Sequence, residues 1–340
     1  MVSPWGFFHS GFPQWAEDAM NRTELASIAQ EAVARAAKIC HLVQHRIAGD
    51  AITKDDRSPV TVADYAAQAI VSLTLSGGAP QIPLVGEEDA AELRSGAHEA
   101  YRASVVGLVQ RVFPKATDAE VMTAIDRGVY GGGPAGRHWV LDPIDGTKGF
   151  LRGGQYAVAL GLVEEGEVVV GVLGCPNMDP GGCIFHAVSG EGAWSIPMEG
   201  GANTRIGVDP VDDPHHARFC ESYESAHSAH DWSAAIAQRL GVTAAPYRID
   251  SQCKYAAVAR GDAAIYLRLP TQKGYVEKIW DHAAGCLIVS EAGGRVTDIS
   301  GAPLDFARGR LLDRNRGVIA TNGRLHDRVL AAVRTTHTPP

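Results

Sequence analysis

The sequence predicts an α+β part followed by an α/β part, and three observations support this division. Apolar residues recur with helical spacing near the start of the chain. Strand-like runs alternate with short turns from residue 155 to 195, which is typical of an antiparallel sheet. Beyond a polar stretch at residues 209–216, short strands alternate with helices. We therefore expect a tail, an α+β domain and an α/β domain at residues 1–22, 23–208 and 209–340.

The first part is predicted to begin with helices. Residues 24–47 have one apolar face, and Thr23 is a suitable N-cap for that helix. A second helix is expected to begin at Asp64, because apolar residues follow it with helical spacing at Tyr65, Ala69, Ile70 and Leu73. A third helix is predicted across residues 105–112.

The strands follow these helices. Runs at residues 155–162 and 167–173 flank Glu164-Glu-Gly166, which predicts a β-hairpin, and runs at residues 184–188 and 192–195 continue the sheet. The first part is therefore expected to pack two helices on an antiparallel sheet. In the second part, helices are predicted at residues 229–240, 254–260 and 282–292.

Composition restricts the class of function. A chain of 340 residues with 45% hydrophobic content can bury a large core. Its formal net charge of -8 argues against a nucleic-acid or membrane-surface protein, because both need basic patches. No apolar run approaches the roughly 20 residues of a membrane span. Residues 1–21 carry no lysine or arginine, so we expect neither a secretory signal nor a transit peptide there.

The segment Trp139-Val-Leu-Asp-Pro-Ile-Asp-Gly-Thr-Lys-Gly-Phe150 places two carboxylates at the end of an apolar run. Asp142 and Asp145 lie three residues apart across a proline, so they can converge on a hard cation with the carbonyl of Ile144 between them. If Gly146 and Thr147 open a helix, their N–H groups can hold a phosphate oxyanion. Alone, such a cluster is more often a plain turn.

Three further acidic segments follow the same pattern. Glu87 and Glu88 end the apolar run in Pro83-Leu-Val-Gly-Glu-Glu-Asp89, Asp281 heads an apolar helix, and Asp64 heads another. Each has a simpler interpretation as a helix cap or an acidic helix start. Together, acidic groups at the ends of four apolar runs are what a shared polar cleft requires.

The order and the residues of these segments resemble those of the metal-dependent, lithium-inhibited phosphatases of the inositol monophosphatase superfamily. The resemblance covers nearly the whole chain from about residue 23. Within that superfamily, Ser58-Pro-Val-Thr-Val-Ala-Asp-Tyr65, Asp250-Ser-Gln-Cys-Lys-Tyr255 and Tyr266-Leu-Arg-Leu-Pro270 resemble the 3'(2'),5'-bisphosphate nucleotidases, in particular the plant-type branch. The resemblance implies a layered α-β-α-β-α sandwich with the metal site at the seam.

The resemblance also implies roles for individual residues. Roughly two or three Mg2+ ions would be held by Glu87, Asp142, Asp145, Asp281 and the carbonyl of Ile144. Asp64 and Thr147 would position and deprotonate the attacking water, and Glu88 would help to orient them. The substrate would be bound by Gly146, Thr147, His227, Ser251, Lys254 and Arg268. In isolation, Lys254 and Arg268 would be read as solvated groups at a helix or sheet edge, and His227 as a residue at a helix start.

The reaction implied is removal of the 3'-phosphate of adenosine 3',5'-bisphosphate to give AMP, with 3'-phosphoadenylyl sulfate as a second substrate. Two alternatives stay open. One is an inositol polyphosphate 1-phosphatase or inositol monophosphatase, and the other is a non-catalytic sensor of a bisphosphate or of redox state. The segments around Ser251 and Arg268 favour the nucleotide. The family also implies a soluble intracellular monomer or homodimer, in the cytoplasm or in an organelle such as the chloroplast or mitochondrion.

Six cysteines lack the paired spacing of zinc sites, and a large core does not need disulfides, so a reducing compartment is expected. Cys175 and Cys183 lie on either side of a short connection. We hypothesise that they form a reversible disulfide. The simpler alternative is two buried thiols that act as small hydrophobic groups.

Overall fold

A computed structural model of the chain describes residues 20–49, 58–95, 98–223, 230–270, 272 and 274–336. The helices within these ranges are α1 Arg22–Gly49, α2 Ser58–Gly78, α3 Glu99–Gln110, α4 Asp118–Asp126, α5 Thr147–Leu151, α6 His230–Leu240, α7 Cys253–Arg260, α8 Ala283–Glu291 and α9 His326–Thr335. The strands are β1 Leu84–Gly86, β2 Arg137–Asp145, β3 Ala157–Glu164, β4 Glu167–Cys175, β5 Cys183–Val188, β6 Gly192–Pro197, β7 Thr204–Arg205, β8 Phe219–Glu221, β9 Tyr247–Arg248, β10 Ile265–Arg268, β11 Arg295–Thr297 and β12 Val318–Thr321.

Within the described residues, the first sheet contains seven strands in the order of the sequence, from β1 to β7. β1 pairs with β2 in parallel, and each later pair is antiparallel. The predicted hairpin is confirmed, because Glu164 pairs with Glu167 across a two-residue turn. Both turn residues, Glu165 and Gly166, have positive φ values of 51° and 81°. This left-handed backbone matches the right-handed twist of the flanking strands.

The two sheets alternate with layers of helices. In the part of the chain that the structure describes, the second sheet has five strands in the order β11-β12-β10-β8-β9. α1 and α2 cover the outer face of the first sheet, α7 and α8 fill the space between the sheets, and α6 and α9 cover the outer face of the second. The expected α-β-α-β-α sandwich is confirmed.

α8 lies unusually close to the first sheet. A Cβ atom added to Gly171 on β4 would lie 2.6 Å from the carbonyl oxygen of Ala284, so only glycine permits this approach. On the other side of α8, a Cβ added to Gly285 would lie 2.4 Å from the ring of Tyr255 on α7. The short 3-10 helix Ile279–Asp281 immediately precedes α8, so this packing also brings Asp281 to the first sheet.

Two sequence-based helix starts were wrong. The predicted cap of the first helix was Thr23, but Asn21 and Glu24 cap its start reciprocally, each accepting a 2.9 Å hydrogen bond from the other's backbone N–H. The hydroxyl of Thr23 instead donates to Glu191. The second helix begins at Ser58, so Asp64 lies inside α2 and is not a helix cap.

The first sheet ends with β7 at Arg205, and the second sheet begins with β8 at Phe219. The predicted boundary at residue 209 lies between them. However, one hydrophobic cluster contains residues of both parts, including Leu173 of β4 and Ile288 of α8. The division into two domains therefore stays a prediction. Among the described residues, no helix has the length and apolar character needed to cross a bilayer.

Candidate active site

Glu87 and Asp142 meet because β1 and β2 are parallel. Gly86 pairs with Leu141, so the residues that follow them emerge at the same edge of the sheet. Besides burial, the charge of Glu87 raises the pKa of Asp142, because the two carboxyl groups lie close together. Asp142 is buried at 3% exposure, whereas Glu87 reaches the surface.

A β-bulge turns Asp145 to the same side as Asp142. Asp142 pairs with Ala159 and Asp145 with Ala157, so three steps along β2 match two steps along β3. In a regular strand, residues three apart point to opposite faces, and one extra residue restores them to the same face. Pro143 fits this irregularity because it has no N–H to donate to the ladder.

Asp281 and Asp64 reach the same region from two helices. Trp280 packs in a cluster with Val85 of β1 and Val140 of β2, which places the adjacent Asp281 beside the edge carboxylates. The charge of Asp281 raises the pKa values of other carboxyls of the group. Asp64, on α2, is 8% exposed and faces Glu87 and Glu88. The structure therefore brings together the five carboxylates predicted to bind metal or to activate water, and we call Asp64, Glu87, Asp142, Asp145 and Asp281 the acidic cluster.

Burial and mutual repulsion raise the pKa values of the acidic cluster. Burial and the charges of Glu88 and Asp281 raise the pKa of Glu87 to about 7. Burial and Asp281 raise that of Asp145 to about 6, even though Lys254 and Arg268 act in the opposite direction. The pKa of Asp142 rises well above its usual value through burial and the charge of Glu87.

The acidic cluster fits a cation. The buried Oδ1 atom of Asp142 has no hydrogen-bond partner among the described residues, and a buried carboxylate oxygen without a donor is costly unless a cation binds it. The set contains only oxygen ligands, which hard divalent cations prefer. The side chain of Ile144 is buried in the core at 2% exposure, so its contribution to such a site would be its backbone carbonyl.

Gly146 and Ser251 join the edge of the first sheet to the second part of the chain. Gly146 has a φ of 94°, and a Cβ added to it would lie 2.7 Å from Cβ of Ser251. Ser251 also has a positive φ, 65°, which is uncommon for a residue other than glycine. Thr147 is the first residue of α5, and its side chain is exposed beside this contact.

Two cationic side chains lie beside the acidic cluster. Lys254 is buried, and its Nζ donates to the hydroxyl of Ser222 at 2.9 Å. Burial lowers the pKa of Lys254, and the charge of Asp145 opposes that change. Arg268 forms ion pairs with Glu277 at 2.7 Å and Asp281 at 2.9 Å. The simpler interpretation of Lys254 and Arg268 as solvated groups at a helix or sheet edge is therefore wrong.

Sequence reasoning missed the residues that support Arg268. Glu277 is 6% exposed and lies 3.3 Å from Nε2 of His282, whose Nδ1 lies 2.7 Å from the hydroxyl of Tyr255. Burial acts to raise the pKa of Glu277, but His282 and Arg268 hold it at about 2. Ligand atoms of Glu277, Asp281 and His282 lie within 4.8 Å of one another. Because Arg268 already binds two of them, we assign this group to holding the arginine.

The remaining predicted residues have simple placements. Glu88 lies beside Tyr65 of α2, and burial raises the pKa of Glu88 while Tyr65 acts to lower it. Cys175 pairs with Cys183 across β4 and β5; both are free thiols, and burial raises the pKa of each. The reversible disulfide therefore stays a prediction. His227 lies outside the described residues.

The chain matches the sequence model of the inositol monophosphatase family over residues 21–338. An Oryza sativa protein named 3'(2'),5'-bisphosphate nucleotidase is 49% identical, and the match covers 91% of this chain and 93% of the relative. An Arabidopsis thaliana protein named 3'(2'),5'-bisphosphate nucleotidase 1 is 48% identical, with 90% and 94% covered. An Emericella nidulans protein named 3'(2'),5'-bisphosphate nucleotidase is 45% identical, with 90% and 96% covered.

Solved structures show the same fold at lower identity. An inositol monophosphatase from Anabaena superposes with a TM-score of 0.62 at 22% identity, covering 94% of this chain and 98% of that one. The IMPase of Thermotoga maritima gives a TM-score of 0.63 at 22% identity, with 93% and 98% covered. These likenesses concern the fold alone.

The raised pKa values predict how stability depends on pH in the absence of metal. Folded carboxyls whose pKa values are raised hold protons that the unfolded chain releases, so the free energy of unfolding should fall as the pH rises from about 4 to about 7. We expect a loss of roughly 1–3 kcal/mol, less than the full shifts would give, because Glu87 reaches solvent. Unfolding by urea in the presence of a metal chelator, at several pH values between 4 and 8, measures this free energy.

Asp142→Asn is the matched variant for this measurement. The lowered pKa values of the buried His138 and His326 act in the opposite direction, so the difference between wild type and variant isolates the acidic cluster. The variant should be the more stable protein at pH 8, and the advantage should shrink toward pH 4. Asp212→Asn, at an exposed carboxylate, is the control. An advantage of Asp142→Asn that does not change with pH would contradict the assignment.

Proposed function

Because the chain belongs to the inositol monophosphatase family, we propose that it is a 3'(2'),5'-bisphosphate nucleotidase. It hydrolyses the 3'-phosphate of adenosine 3',5'-bisphosphate to AMP and phosphate, and 3'-phosphoadenylyl sulfate is a second candidate substrate. The observation that carries the proposal is the acidic cluster, in which the buried Asp142 has an unpaired oxygen, with two cations, Lys254 and Arg268, beside it. Such a site can hold metal and an anionic substrate together.

The enzyme depends on metal, as phosphatases of this family generally do. We propose that the metal is Mg2+, that roughly two or three ions bind, and that they are held by Glu87, Asp142, Asp145, Asp281 and the carbonyl of Ile144. When bound, Mg2+ would neutralise the charge on the phosphoryl oxygens and polarise the phosphate ester. The acidic protein thereby acquires the positive charge that its substrate needs.

Asp64 and Thr147 are proposed to handle the proton of the attacking water. A hydroxyl both accepts and donates a hydrogen bond, so Thr147 can pass a proton to a neighbouring carboxylate. Burial and the charges of Glu88 and Glu87 raise the pKa of Asp64, which makes it a better proton acceptor. Glu88, which lies beside Tyr65, is proposed to help fix the orientation of this group.

The second part of the chain is proposed to bind the phosphate that is retained. Lys254 and Ser251 lie in and just before α7, and Ser251 also touches Gly146 at the edge of the first sheet. Arg268 offers a planar guanidinium that suits a phosphate, and its pairs with Glu277 and Asp281 fix its position. His227 is proposed to lie near the nucleotide, by resemblance to the family.

Phosphate release tests the function directly. Purified protein is incubated with Mg2+ under reducing conditions and offered adenosine 3',5'-bisphosphate, inositol 1,4-bisphosphate or inositol 1-phosphate. We expect preference for the adenosine compound, and inhibition by lithium. Preference for an inositol phosphate would keep the metal chemistry and exclude the nucleotide pocket. Release from none of the three would favour a non-catalytic sensor.

Asp145→Asn should lower kcat at least about 100-fold, because it removes one negative charge from the metal site and so weakens the stabilisation of the transition state. Steady-state phosphate release at saturating substrate measures kcat, with Asp327→Asn as the surface control. Turnover equal to that of the wild type would exclude Asp145 from the metal site.

Arg268→Ala should impair a bisphosphate more than a monophosphate, because the arginine is proposed to bind the phosphate that is kept. We expect kcat/KM for adenosine 3',5'-bisphosphate to fall at least about tenfold more than kcat/KM for 3'-AMP, in line with the loss of a charged hydrogen bond. Arg295→Ala, which removes an exposed arginine from β11, is the control. Equal losses on both substrates would mean that Arg268 does not bind the retained phosphate.

A further inference from the structure

Two buried glutamines lie behind the acidic cluster, Gln68 on α2 and Gln252 just before α7. Their side chains are 0% and 2% exposed. Each amide uses both its N–H and its C=O groups on the protein backbone. A polar group this deeply buried is tolerated when its hydrogen bonds are satisfied, and here most of the partners belong to the segments that carry the carboxylates.

Gln68 fixes the segment of Glu87 and Glu88. Its Nε2 donates to the carbonyl of Glu88 at 2.6 Å and to that of Ile125 at 2.8 Å. Its Oε1 accepts from the N–H of Glu88 at 3.1 Å. A Cβ added to Gly86 would lie 2.5 Å from Oε1 of Gln68. Any larger residue at this end of β1 would therefore clash with the amide. Gln68 also lies one helical turn after Asp64, which ties the two acidic segments to one helix.

Gln252 fixes the other half of the acidic cluster. Its backbone N–H donates to Oδ2 of Asp145 at 2.5 Å. Its side-chain Nε2 donates to the carbonyl of Trp280 at 2.9 Å, and its Oε1 accepts from the N–H of Gly285 at 3.2 Å. These two backbone groups lie before and after Asp281. One residue therefore holds a carboxylate of the first sheet and, through the backbone on both sides of it, the carboxylate that precedes α8.

We propose that Gln68 and Gln252 are positioning residues that hold the carboxylates of the acidic cluster at the spacing that metal requires. The inference rests on the proposed function. Like charges at short range repel, so the carboxylates would move apart if their backbone segments were free. Residues that orient metal ligands typically contribute about 10- to 100-fold to metal affinity. The two amides would do so by holding the backbone that carries the ligands.

The test measures Mg2+ binding without substrate. Gln68→Met and Gln252→Met keep the length of the side chain but remove its hydrogen bonds. The unfolding temperature is followed as Mg2+ is added, and Mn2+ binding by electron paramagnetic resonance gives a second, direct measure. We expect the Mg2+ concentration at half-saturation to rise about tenfold in each variant. If a methionine variant does not fold, asparagine at the same position keeps the amide but shortens its reach.

Asn322→Leu is the matched control. Asn322 is 1% exposed, and its amide donates to the carbonyls of Asp209 and Val211 and accepts from the N–H of Leu325. It is thus an equally buried amide with equivalent backbone partners. It follows Thr321, which pairs with Ile265 at the opposite end of β10 from Arg268. Loss of this amide should lower stability and leave half-saturation by Mg2+ unchanged.

The outcomes separate the two proposals. Weaker Mg2+ binding in the glutamine variants alone supports the positioning role. Equal half-saturation in all variants and the wild type, or an equal change in Asn322→Leu, would overturn it, because the amides would then serve stability only. If the wild type binds Mg2+ but releases no phosphate from a bisphosphate, the proposed function fails while this comparison still decides the positioning role.

Discussion

The repulsion among the closely placed carboxylates of the acidic cluster is the constraint on which the rest of this structure depends. Burial and neighbouring negative charges raise the pKa values of Asp64, Glu87, Asp142 and Asp145. A chain that only needed stability would place hydrophobic groups at these positions. The acidic cluster therefore makes physical sense as a site that a cation completes, and the fold must hold it in place before the cation arrives.

Several independent features supply that rigidity. The parallel pairing of β1 with β2 sets Glu87 beside Asp142, and the bulge at Pro143 turns Asp145 to the same side. Trp280 packs on the first sheet and brings Asp281 with it. The amides of Gln68 and Gln252 then fix the backbone around these acids. Most of these features act on the main chain. Asp145 also accepts from the N–H of Gln252 and Asp281 pairs with Arg268, whereas Oδ1 of Asp142 has no partner among the described residues.

The two cationic side chains of the site are also held in place by their neighbours. Lys254 is bound to Ser222, and Arg268 is held by Glu277, which His282 and Tyr255 support in turn. These partners fix the two positive charges beside the acidic cluster, at the seam between the sheets. The nucleotidase proposal requires the acidic cluster and the two cations to lie side by side, because one phosphate of the substrate would bind the metal while the other binds the cations.

The sequence by itself determined the acidic residues, the hairpin at Glu165 and Gly166, and the layered class, because motif order, turn residues and apolar spacing are local properties. It misplaced the starts of α1 and α2, because Asn21 and Glu24 cap reciprocally and α2 begins before its apolar spacing is evident. Only the tertiary structure decided which face Asp145 occupies, that Arg268 pairs with Glu277, and that Gln68 and Gln252 hold the acidic segments. Those interactions need strand register and contacts between residues far apart in the chain, such as Gln68 with Ile125.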